Sequence, residues 1–209
     1  MIMLKVNRSR IAIGVLAFLL LAPSTPSSVA AKPTPTLNGN FCAGVLGGTW
    51  TAGKSPTCTI NEFKTYNGGN SFIIKSGIRL TIQSGATFIS NGFITNNGVI
   101  VNAGDFSNGS DFTNNGIFDN YGIITNGGDF RNEGRLNNER TINIIGGNLY
   151  NNGGAIIINN ATINNASGAT INNSILATIN NNSGATIYNN GTINNSGTIN
   201  NSGTVIGSY

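Results

Sequence analysis

The chain has 209 residues, only 9% of them charged and 39% hydrophobic, with 29 Gly, two Cys and no His. A zinc centre would therefore have almost no ligands to draw on. The formal charge of +4 includes Lys5, Arg8 and Arg10 in a leader-like segment, and removing those three from eleven leaves eight basic against seven acidic residues, too even a balance to neutralise phosphates, which sets a nucleic-acid partner aside.

Residues 1–10 are basic, residues 11–22 (IAIGVLAFLLLA) are apolar, and the following stretch ends in Ser-Ser-Val-Ala-Ala. This layout predicts a signal peptide over residues 1–31, cleaved after Ala31 or Ala30. The apolar run is short of the roughly 20 residues that span a bilayer. The expected protein is secreted and meets a membrane only through this segment before cleavage.

Residues 32–40 are rich in Pro, Thr and Gly and are expected to form a mobile linker. Residues 41–71 lie outside the later repeat and are expected to cap it. Cys42 and Cys58 are predicted to be a disulfide, as suits an exported chain, worth about 3 kcal/mol in the chain-entropy model for a loop of this size. Trp50 is the expected lid over the first rung.

Residues 72–209 carry the dominant pattern. An apolar anchor recurs every sixth position through Phe88, Ile94, Ile100, Phe106, Phe112, Phe118, Ile124, Phe130, Leu136 and Ile142. Neither a helical period nor simple alternation produces this spacing, whereas short strands stacked around a shared axis require it. Two residues after the anchors stand Asn96, Asn102, Asn108, Asn114, Asn120, Asn126, Asn132 and Asn138, and two before them stand residues such as Gly98, Gly104, Ser110 and Gly116. Residues two apart share a strand face, so small residue, anchor and Asn all point inward. Asn suits a corner and can bond the Asn one coil away.

Beyond Ile142 the anchors are expected at Leu149, Ile156, Ile163, Ile171, Ile179, Ile187, Ile193, Ile199 and Val205, with spacings of three sevens, three eights and three sixes. Changes in threes predict an all-β, three-faced parallel β-helix of about 18 residues per regular coil. A hexapeptide period with a small residue before an aliphatic anchor resembles the left-handed hexapeptide β-helix. The anchor-x-Asn-x-Gly-x unit, as in Ile94-Thr95-Asn96-Asn97-Gly98-Val99, is similar to the right-handed β-helix repeats of filamentous haemagglutinin-like secreted adhesins. Later units, Gly191 to Ser196 and Gly197 to Ser202, resemble those of secreted surface proteins of bacteria and archaea. The second resemblance implies a right-handed solenoid at a cell surface.

No constellation for catalysis stands out, and neither an enzyme nor a cofactor is expected. Asp111 and Asp129 stack on the expected coil near Arg131, an arrangement in which the bland reading, solvated charges, outweighs Ca²⁺ binding. Outward Thr186, Thr192, Thr198 and Thr204, with Asn194 and Asn200, form a candidate binding face that resembles β-solenoid ice-binding surfaces. The competing reading is that Thr is a good strand residue on a solvated face, and a three-faced coil divides these Thr among three faces rather than gathering them on one. Sequons occur at Asn108, Asn160, Asn165, Asn172, Asn181, Asn190, Asn194 and Asn200, of which the outward Asn172, Asn194 and Asn200 suit glycosylation best. Residues 203–209 carry neither charge nor helix, so strand edges there are expected to pair end to end with another copy. The function expected is that of a structural or adhesive surface protein, with glycan or ice binding as the alternative.

Overall fold

The computed structural model describes residues 34–68 and 71–208. The expected signal peptide and its cleavage site lie outside the described residues.

Three sheets, parallel except for one antiparallel pair at the N-terminal end of the first, form the sides of a β-solenoid, each coil contributing one strand of three or four residues to each face. Face 1 holds nine strands, starting with β1 (Thr49–Thr51) and β2 (Thr57–Ile60) and ending at Thr198–Asn201. Face 2 holds eight, from β3 (Lys64–Tyr66) to Thr204–Ile206, and face 3 seven, from β4 (Phe72–Ile74) to Thr192–Asn195. Along most strands burial alternates outward, inward, outward, inward, the period of a pleated strand with one face in the core.

The anchors stack in register. Phe88, Phe106, Ile124 and Ile142 share a column on face 2, Ile94, Phe112 and Phe130 on face 3, and Ile100, Phe118 and Leu136 on face 1. Every step is 18 residues. In the middle coils the phenylalanines meet at the axis, with ring centroids 5.4 Å apart for Phe106–Phe112 across two faces and 4.6 Å for Phe112–Phe130, stacked on one face. That lies within the favoured range for aromatic pairs, and each such buried ring contributes about 1.5–3 kcal/mol.

Most corners have two residues or four, and Ile145-Gly146-Gly147 has three, which makes the step from Ile142 to Leu149 seven. Short ones, such as Asn97-Gly98, bring the chain against the coil before: a Cβ on Gly122 would lie 1.9 Å from the Gly104 carbonyl oxygen, so no larger residue fits. Long ones, such as Ala166–Ala169, are closed by a bond from the fourth residue's N–H to the first residue's carbonyl (3.0 Å) and take positive φ at the third, as Gly168 does at 82°.

This choice explains the later spacings and corrects one anchor. Ile157, not Ile156, faces the core: Ile157 is fully buried, Ile156 is 39% exposed, and Leu136 pairs with Ile157. The run of three sevens therefore does not exist; the step from Leu149 to Ile157 is eight and from Ile157 to Ile163 six. Coil length grows past 18 where long corners replace short ones.

The N-terminal end also departs from expectation. The linker is shorter than residues 32–40, because Thr36 bridges Ile73 and Leu37 is fully buried. Helix α1 (Gly39–Gly44) follows, its Asn38 side chain accepting from the Phe41 N–H at 2.9 Å. Phe41 rather than Trp50 covers the first aromatic rung, 5.0 Å from Phe72 and 6.1 Å from Tyr66. Trp50 sits on β1, antiparallel to β2 and opposite Cys58, where a Cβ on Gly39 would touch its ring. The Cys42–Cys58 disulfide ties α1 to β2.

Candidate functional site

The inward asparagines form hydrogen-bonded ladders. On face 1 the Nδ2 of Asn102 donates to Asn120 Oδ1, and Asn120, Asn138, Asn159 and Asn181 repeat the step up to Asn201, every bond 2.8 Å. Face 3 carries a second ladder from Asn96 through Asn114, Asn132, Asn151 and Asn173 to Asn195 at 2.7–2.9 Å. On face 2, Asn108 reaches Asn126, Ile144 interrupts, and Asn165 reaches Asn189. Each Nδ2 also reaches a backbone carbonyl near a corner, as Asn120 does to Gly122 and Thr141. Except for the last rungs, Asn195 and Asn201, which are exposed, these residues are buried and bonded, so Asn108, Asn165 and Asn181 are closed to glycosylation; Asn194 and Asn200 are exposed.

All ladder bonds run one way, so each ladder begins with an Oδ1 that no lower Asn can serve. Asn102 follows Ile82, Asn108 follows Ser90 and Asn165 follows Ile144 in the columns, and the Oδ1 of all three lacks a partner. Asn96 escapes this by accepting from the Gly98 N–H at 3.1 Å.

Charge is confined to the first part of the solenoid. On face 3, Arg131 lies 2.6 Å from Asp129 and 3.7 Å from Asp111, with its guanidinium 5.3 Å from the Tyr150 ring centre. The stacked carboxylates thus have an internal cation between them. No group of three or more His, Cys, Asp or Glu suited to a metal occurs among the described residues. Near the cap, Lys64 at 2.6 Å holds the Glu62 carboxyl below its ordinary pKa. Residues 141–209 contain no Lys, Arg, Asp or Glu at all.

That uncharged part holds the outward Thr and Asn residues, and the structure divides them. Thr192 and Asn194 lie on face 3, stacked on Thr170 and Asn172, while Thr198 and Asn200 lie on face 1, stacked on Thr178 and Asn180. Only Thr186 and Thr204 share face 2. There they continue a column missed in the sequence, Thr141, Thr162, Thr186 and Thr204 on successive coils. Beside it runs a second outward column of Asn143, Asn164, Tyr188 and Ile206, in which Asn164 Nδ2 donates to Asn143 Oδ1 at 2.8 Å. Comparison of the chain with protein-family models, curated sequences and solved structures found no match. Face 2 of the late coils is therefore judged on its own chemistry: four aligned hydroxyls, an amide column and a tyrosine, with no charge.

The signal for this column was present but hidden. Its members are 21, 24 and 18 residues apart, and only the observed corner lengths reveal that these unequal steps are each one coil.

Proposed function

We propose that the protein is a secreted or cell-surface rod that contributes structure or adhesion without catalysing a reaction. The observation that carries this reading is the continuous pair of buried amide ladders, which commits the inward polar side chains to stacking coils. The buried disulfide supports an oxidising compartment, and the repeat-level likeness to secreted adhesins agrees with it. Partners in this reading are surface glycans or further copies of the chain. Fractionation with imaging in the native cell tests it: protein retained in the cytoplasm with reduced cysteines would overturn it.

Face 2 favours a second reading, binding of glycan or ice. Aligned Thr hydroxyls on a flat, uncharged sheet present donors and acceptors at a repeat of about 4.8 Å per coil. Thermal hysteresis separates the two ligands, since an ice-binding face produces it and a glycan-binding face does not.

A further inference from the structure

We infer that Tyr188 is the stacking platform of a subsite for a neutral carbohydrate on face 2. This rests on the glycan branch of the second reading above and names its place and ligand class. Where face 2 turns into face 3, a shallow depression of about 370 Å³ is lined by Asn164, Asn165, Ala166, Tyr188 and Asn190. A change in corner length accompanies it. The corner after Asn165 is the long one, Ala166–Ala169, whereas the corner one coil later is only Asn190-Gly191, and Gly191 lies directly over the Ala166 and Ala169 carbonyls. The lower corner thus forms a ledge, and Tyr188, paired with Asn164, stands beside it.

Tyr188 is 42% exposed, and among the described residues no other ring or guanidinium covers it. The contrast is Tyr150 on face 3, whose ring has the Arg131 guanidinium against it. A sugar ring offers an apolar C–H face to an aromatic ring and hydroxyls to neighbouring amides. Asn164, whose Nδ2 is engaged with Asn143, keeps its Oδ1 as an acceptor, and the exposed Asn190 offers a whole amide. With no charged side chain anywhere in residues 141–209, nothing here recognises a carboxylate, sulfate or phosphate, so the sugar is uncharged.

Calorimetric titration of the purified full chain with cellohexaose, maltohexaose and N-acetylchitohexaose, and with hexagalacturonate as the acidic probe, tests this. At least one neutral probe is expected to bind and the acidic one not. Tyr188→Ala is expected to weaken binding about tenfold, the size of one lost stacking contact. Tyr188→Phe and Tyr150→Ala are expected to leave it unchanged, with thermal melts confirming that the variants fold. Unaltered binding by Tyr188→Ala would remove the subsite while leaving glycan binding standing. Failure of every neutral probe at millimolar concentration would remove both, and preference for hexagalacturonate would overturn the neutral class.

Discussion

Asn102 donates its side-chain amide to Asn120 one coil away, yet its own Oδ1, fully buried, accepts nothing. Asn120 in the next rung accepts from Asn102 and donates to Asn138, Gly122 and Thr141. Removing a middle rung therefore strands more groups than removing the first. Asn120→Ala is expected to cost about 2–4 kcal/mol and Asn102→Ala about 1 kcal/mol less. Urea unfolding of both variants measures the difference, and equal losses would mean that the ladder bonds are not what holds these coils.

Ile156 and Ile157 give a second contrast in adjacent residues. Truncating the buried Ile157 to Ala leaves a cavity at the axis and is expected to cost about 2–4 kcal/mol. The same change at Ile156, on the outer surface, is expected to cost less than about 1 kcal/mol. A reversed order in denaturation midpoints would return the anchor to Ile156.

Leu176 occupies the corner position that Gly154, Gly168 and Gly184 fill elsewhere, with φ +67° and 81% exposure. A left-handed backbone costs an L-residue about 1–2 kcal/mol, and glycine avoids that at a smaller entropic cost in the unfolded chain. Since so little of this side chain is buried, Leu176→Gly is expected to stabilise the protein by about 0.5 kcal/mol. Differential scanning calorimetry should show a raised melting temperature; a lowered one would reveal a contact that rewards Leu.

Tyr66 lies buried under Phe41, and burial pushes its phenol pKa above the ordinary 10. An unfolded tyrosine ionises near pH 10 while the buried one keeps its proton, so the native state binds more protons there. Stability from this group is complete below that pH and falls as pH rises, by at most about 1.4 kcal/mol per unit. Urea midpoints at pH 8 and pH 11 should therefore separate more for the wild type than for Tyr66→Phe.

Much of the fold was legible in the chain because stacking imposes a local rule on every unit. A buried anchor, an inward Asn two residues later and a small corner residue must recur wherever coils lie one strand spacing apart, so the six-residue period exposed the all-β solenoid; its three faces were read from spacings changing in threes, a pattern that survives in the eights and final sixes but not in the sevens. At Ile156-Ile157-Ile158 the rule is ambiguous, since three apolar residues in a row satisfy it in two registers. Tertiary pairing decides: Asn159 has to meet Asn138 in the amide ladder at 2.8 Å, and the residue two before it, Ile157, then turns inward. Phe41 displaced Trp50 as the lid for a comparable reason, because α1 and the bridge at Thr36 set the approach of the chain.

The late binding face shows the same division. Thr before each anchor and Asn after it, with their outward direction, followed from alternation along the strand. Their division among three faces followed from the three-faced coil, but the column that joins Thr141 and Thr162 to Thr186 did not, because it depends on summing unequal corner lengths around whole coils. Sequence by itself determined the rung and, where the six-residue beat is unbroken, which rungs stand above one another; only the tertiary structure decided this for the coils with irregular corners, gathering Thr141, Thr162, Thr186 and Thr204 beside Tyr188.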